Sequence, residues 1–198
     1  MSHVFTFILL AAPLPAAVVY SGVQNIPIPT TFAGVYVDID TETTSTTTIP
    51  VWDINPFFGG VGISNSATFQ PARTGTGNFD VITRLGLGAV ISSSLNYSTG
   101  VGGSGDPNTH LGPGTDQFSG GAEDYLGFRL TLNDTSGPFY GWMRVTLTAN
   151  TSGAFIHDWA WDNTGAGITS GTVPEPESAM LTFLWLCVVA MRRRRLNS

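Results

Sequence analysis

The chain has 198 residues, 24 glycines, 12 prolines and only 11% charged residues, which fits one turn-rich domain with terminal segments rather than two full domains. Its 42% hydrophobic content, with 12 Phe and 5 Trp, is ample for a packed core and excludes disorder throughout. The formal charge is −6, and without residues 173–198 four arginines face 12 carboxylates (14 less Glu175 and Glu177), a balance of −8 that argues against nucleic acid as a partner.

The N-terminus reads Met1-Ser2-His3 and then an apolar stretch over residues 4–19, with Ala11, Ala12, Ala16 and Ala17 near its end. A short apolar core followed by small residues resembles a secretory signal over residues 1–17, although no Lys or Arg precedes it. The competing reading is a buried first strand over residues 17–23.

Residues 18–172 read as strands and turns. Val35, Val37 and Ile39 alternate with Tyr36, Asp38 and Asp40, the period of a half-buried strand. Residues 41–48 are a Thr-dominated tract, either an edge strand or a connector. Further strands are predicted over 60–64, 67–70, 81–83 and 89–92, and residues 100–114 read as a Gly/Pro-rich surface loop. Leu126, Phe128, Leu130 and Leu132 alternate with polar or small residues, and so do Met143, Val145 and Leu147. Between them Asn133-Asp134-Thr135-Ser136-Gly137-Pro138 is turn-rich, so 125–148 is predicted to be one antiparallel hairpin. A last strand is predicted over 154–161. Several short strands with frequent turns imply an all-β fold: an antiparallel β-sandwich, jelly-roll or lectin-like, followed by one C-terminal hydrophobic helix.

The C-terminus, residues 173–198, has three parts in order. Val173-Pro174-Glu175-Pro176 is stiff and extended, since each proline fixes φ and disfavours helix in the residue before it. Residues 178–191 are apolar apart from Ser178 and Thr182 and contain Cys187, the one cysteine, which rules out an intramolecular disulfide or a Cys-rich zinc site. Arg192, Arg193, Arg194 and Arg195 follow. A helix of that length spans about 21 Å, short of a bilayer core of roughly 30 Å, but four adjacent cations cannot be buried in a protein core and can snorkel to headgroups. Basic residues stay on the cytoplasmic side, which puts the β body outside.

Pro174, Glu175 and Pro176, one apolar helix and the Arg192–Arg195 cluster together resemble the PEP-CTERM sorting signal. The resemblance covers about 26 of 198 residues. It implies export, membrane anchoring by the C-terminal helix, and processing near Pro-Glu-Pro by an exosortase-type enzyme in Gram-negative bacteria, with delivery to the cell envelope or extracellular matrix. It implies nothing about what the β body does.

Candidate chemistry in the body is sparse. No Gly-x-Ser-x-Gly elbow occurs, and after export only His110 and His157 remain as bases, so no catalytic residue is predicted. Asp38, Asp40 and Glu42 fall at i, i+2, i+4 and offer Ca²⁺ three of the six or more oxygens it needs; a solvated strand face explains them without a metal. A second oxygen-rich candidate combines Asp106, Asn108 and His110 with Asp116, Glu123 and Asp124, against a reading as turn-forming residues. Trp159 and Trp161 flank Ala160 and share one face, where they either stack on sugar rings or pack the core; core is also the reading for Trp52, Phe57, Phe58, Tyr140 and Trp142. Arg129 and Arg144 fall on polar hairpin faces, with packing of an arginine on Trp142 plausible. The expectation is a non-enzymatic, exported envelope or matrix protein without a cofactor. The alternatives are a carbohydrate-binding module that attaches to exopolysaccharide and an exported hydrolase with a non-sequential site.

Overall fold

The computed structural model describes residues 18–102 and 110–174. The signal-like segment 1–17, residues 103–109 and the tail from Glu175 lie outside the described residues, and with them the predicted C-terminal helix. Among the described residues there is one 3-10 turn, Phe58–Gly60, and no α-helix; everything else regular is strand.

The first half of the chain gives short strands: β1 Val18–Tyr20, β2 Ile26–Pro27, β3 Tyr36–Asp38, β4 Thr43–Ser45, β5 Ile54–Phe57, β6 Gly62–Asn65 and β7 Phe69–Arg73. Four more follow, β8 Arg84–Leu85, β9 Val90–Ile91, β10 Asn96–Tyr97 and β11 Gly100–Gly102. The second half holds the long strands β12 Glu123–Leu130, β13 Phe139–Thr146 and β14 Phe155–Asp162, then β15 Ile168–Thr169. Every strand pairing is antiparallel. An eight-stranded sheet runs β1-β14-β13-β12-β7-β10, with β2 on β14 and β8 on β12. A five-stranded sheet runs β11-β6-β5-β3-β4, and β15 pairs with β9 in a small third sheet.

The predicted hairpin over 125–148 is β12–β13, in register from Glu123–Thr146 to Leu130–Phe139. Its alternation sends Leu126, Phe128, Leu130, Met143 and Val145 into one core, where they meet Val37, Ile54 and Ile63 of the five-stranded sheet. Each such side chain stabilises the fold by about 1.5–3 kcal/mol through burial. The other face of the eight-stranded sheet is not left to solvent. Tyr140, Trp142 and Ala160 pack there against Ile91 and Ile168 of the β9–β15 sheet. Apolar cover on both sides is why β13 and β14 are buried at almost every position.

Opposite Arg144 and Val145 of β13, strand β14 spends three residues on two, so His157 has no partner in the ladder. Such a bulge resets the alternation. Ile156 and Trp159, an odd number of residues apart, therefore both reach the core.

Three expectations need correction. The strand over Val35 to Ile39 ends at Asp38 and turns, with Glu42 at φ 56°, into β4; the Thr tract is thus a returning edge strand. The loop predicted from residue 100 begins with an edge strand, β11 on β6. Trp142 packs against Tyr20 and Tyr125 rather than an arginine; Arg129 lies over Tyr97, 5.2 Å from the ring centroid, and Arg144 clamps Asp158 through Nε (2.9 Å) and Nη2 (2.7 Å).

Candidate ligand-binding site

Period 2 turns Val37, Ile54 and Ile63 inward, so Tyr36, Asn55, Phe57 and Ser64 stand on the outer face of the five-stranded sheet. The pairings put Asn55 opposite Ser64 and Phe57 opposite Gly62, and the Val37–Ile54 pair sets Tyr36 beside Asn55. The Phe57 ring lies over Gly62, where any Cβ would collide with it, so the glycine lets an aromatic lie flat on the strand. Trp52, just before β5, meets Tyr36 edge to face at 5.4 Å and 78°.

Two loops complete the wall. The β2–β3 loop raises Phe32, which packs on Phe57 at 5.5 Å and 67° yet is 75% exposed. That loop turns back through Gly34 at φ 63°, tight against Pro56 O and Asn55 Oδ1, a conformation and a fit that need glycine. The β7–β8 loop raises Phe79, 71% exposed. It is held from beneath by Arg73, whose side chain is buried: Nη1 donates to Asp80 O (2.7 Å), Nη2 to Asn65 Oδ1 (3.0 Å) and Nε to Ser98 O (3.4 Å). Burial pushes the Arg73 pKa down, yet guanidinium stays charged in proteins, so this cation is served by neutral acceptors.

The result is a cleft of about 410 Å³, open to solvent on one side, within the roughly 300–1,000 Å³ range of small-ligand sites. Five aromatic rings line it, with Asn55 and Ser64 as the polar groups. Among the described residues no lining side chain carries a charge, although the whole chain is formally −6. Asn55 is fixed by donating from Nδ2 to Ala33 O at 3.0 Å.

The residues singled out in the sequence lie elsewhere. Trp159 and Trp161 are 0% and 5% exposed in the inter-sheet core, where no ligand reaches them. Asp38, Asp40 and Glu42 do not share a strand face. Asp38 and Asp40 converge on Asn133, which donates from Nδ2 to Asp40 Oδ1 (2.6 Å) and Asp38 Oδ2 (3.3 Å) and from its backbone N–H to Asp40 Oδ2 (3.0 Å). Glu42 instead accepts from Gln24 Nε2 at 3.3 Å. Burial and the neighbouring Asp38 hold the Asp40 pKa up; at Asp38 burial is outweighed by hydrogen bonds involving Asp40, Thr41 and Asn133, and its pKa falls. Among the described residues no group of three or more His, Cys, Asp or Glu is arranged to hold a metal ion. In the second candidate, Asp124 pairs with Arg84 at 3.1 Å and Glu123 with Arg144 at 3.1 Å, while Asp106 and Asn108 lie outside the described residues.

Neither histidine forms a relay. His110 is fully buried, its Nε2 is 2.5 Å from Gly60 O, and Nδ1 has no partner among the described residues; burial pushes its pKa down to about 4, so the ring is neutral at pH 7. His157 has a hydroxyl, Thr146 Oγ1 at 2.8 Å, and a carboxylate, Glu123 at 3.9 Å, but both crowd Nε2, while Nδ1 meets Asn25 Oδ1 at 3.2 Å. A Ser-His-Asp type relay needs the hydroxyl and the carboxylate on opposite ring nitrogens.

Of the cleft residues, Trp52 and Phe57 read as core in the sequence and Phe32, Tyr36 and Phe79 did not stand out. The usable signal was Tyr36, an aromatic on the polar face of a strand whose other face is Val35 and Val37. Compared with protein-family models, with curated proteins and with solved structures, the chain matches none.

Proposed function

We propose that this chain is a non-catalytic binding protein, exported and sorted by its Pro174-Glu175-Pro176, apolar and Arg192–Arg195 tail, and displayed at the cell envelope or in the extracellular matrix. In this reading the C-terminal segment spans the membrane, an exosortase-type enzyme is its processing partner, and the β body is a jelly-roll or lectin-like sandwich. The finer fold assignment is supported by the two antiparallel sheets that share one core.

One observation carries the reading: the cleft and the exit of the tail are on opposite faces of the body. The cleft is on the outer face of the five-stranded sheet. The chain leaves at residues 172–174 on the outer face of the eight-stranded sheet, where Thr172 O accepts from Trp142 Nε1 at 3.1 Å. Around that exit the apolar side chains Leu87, Val90 and Val173 are exposed; Leu87 is against Gly171, and Val90 is in register with Thr169. A body held by its tail would meet the membrane with this apolar side and point its cleft away from it.

The test is fractionation of cells that express the full chain with an internal tag in the body. The reading expects the body in the envelope or the medium, and expects deletion of residues 173–198 to abolish envelope retention. Recovery of the full chain from the cytosol would overturn it.

A further inference from the structure

We infer that the cleft formed by Tyr36, Trp52, Phe57, Phe32 and Phe79 is a binding site for an uncharged polysaccharide. The inference deepens the display reading above and rests on it only for where the ligand is met.

The chemistry of the lining selects the ligand. Aromatic faces gain from the C–H faces of a pyranose ring, and two planes near right angles, Tyr36 on Trp52, offer one wall and one floor to such a ring. A purely apolar ligand would not use Ser64, whose hydroxyl lies on the lining opposite the buried Asn55 across β5 and β6 and suits a sugar hydroxyl. Charge narrows the class further. A uronate or sulfated polymer needs a cation in the site, and the described lining has none: Arg73 is spent on three protein acceptors beneath it. A cationic polymer would find no carboxylate among the described lining residues.

The exposure of the aromatics is the second argument. Burying Phe32 and Phe79 fully in the fold would stabilise it, yet they are held at 75% and 71% exposure by a glycine turn and by a buried arginine. The Phe32 ring rests on Phe57 and Phe58, and the backbone beside Phe79 is tied to Arg73 at Asp80 O, which limits the ordering left for a ligand to impose. The cleft is open on one side, which admits a chain that continues beyond it.

The experiment uses the full chain purified in a non-glycosidic detergent. Retention is measured on insoluble neutral polysaccharides (a β-1,3-glucan, cellulose and xylan) and on alginate as the acidic comparison, with tryptophan fluorescence followed on titration with soluble oligomers. The expected result is retention on at least one neutral polymer and not on alginate, and a fluorescence change on oligomer addition. Trp52→Ala and Phe79→Ala should each weaken binding at least tenfold with an unchanged circular dichroism spectrum, Trp52→Ala should remove the fluorescence change, and Leu87→Ala, on the far face, should bind as the parent does. Failure to bind any neutral polymer, preference for alginate, or binding that survives both cleft variants would overturn the inference. Retention is read on purified protein, so recovery from the cytosol in the fractionation experiment would sink the display reading and leave this one standing.

Discussion

Asp53 and His110 are both buried and titrate in opposite senses. Asp53 accepts from Ile39 N–H at 2.8 Å and from Thr68 Oγ1 at 3.1 Å, but burial dominates and lifts its pKa from 3.8 to about 6. The fold therefore prefers the protonated acid; this contribution is complete below about pH 4 and is lost as pH rises through 6. His110, with a pKa pushed from 6.5 to about 4, works the other way: its contribution is present above pH 6.5 and is lost as pH falls through 4. Each shift of about two units corresponds to roughly 3 kcal/mol, so the two nearly cancel between pH 4 and 6.5. Asp53→Asn keeps an acceptor for Ile39 N–H and removes one side of the balance. Urea unfolding at pH 4.5 and 7 should then show a variant stabilised at pH 7 and losing stability on acidification, whereas His110→Gln should gain stability on acidification. Parallel pH profiles for parent and Asp53→Asn would refute the assignment.

At the scale of elements, the Arg73 side chain ties three separate segments together under the Phe79 loop. Arg73→Leu removes every donor at once and leaves Asp80 O, Asn65 Oδ1 and Ser98 O without their partner. The expected cost is about 2–4 kcal/mol, read as a lowered urea midpoint, together with weaker ligand retention because Phe79 loses its support. A variant as stable as the parent would show that water replaces the guanidinium. The sequence revealed those elements whose signal is local. The β12–β13 hairpin was legible because two strands of strict alternation flank a turn-rich hexapeptide, and β14 because its apolar residues are dense. Strand β5 was not, since Pro56 stands inside it and Asn55 and Pro56 interrupt the apolar pattern; only its place between β3 and β6 makes it a strand. The carboxylates failed as a group because alternation was extended past Asp38, where the chain turns. The cleft was half legible: Tyr36 showed its outward face, but period 2 says nothing about loops. Phe32 and Phe79 come to the same wall only through tertiary contacts, from positions 47 residues apart.

For the whole molecule, the two ends of the described body meet at one side chain. Tyr20 of β1 is 6.2 Å from the Trp142 ring, and Thr172 caps the Trp142 indole N–H. Strand β15 cannot be removed without touching the core, because Ile168 packs in it and Thr172 holds the Trp142 indole. A chain ending at Pro174 should melt within a degree or two of the full chain. One ending at Thr164 loses the burial of Ile168 and the Trp142–Thr172 bond and uncovers Ile91, a loss of about 2–4 kcal/mol in thermal or urea unfolding. Equal stability of the two truncated chains would show that β15 contributes nothing to the fold.

Strand β15 is also only two residues long and is joined to the rest by its pairing with β9, a few neighbouring hydrogen bonds and the burial of Ile168. Tension applied between a surface gripped at the cleft and a tether fixed at the tail would reach this strand before any other and open its bonds one after another, as a zipper opens. The ten residues from Asn163 to Thr172 would then pay out as slack, roughly 33–36 Å at full extension, while β14 and the aromatic wall stayed folded. A short last strand thus gives the molecule a stretch of yielding cord between what it holds and what holds it.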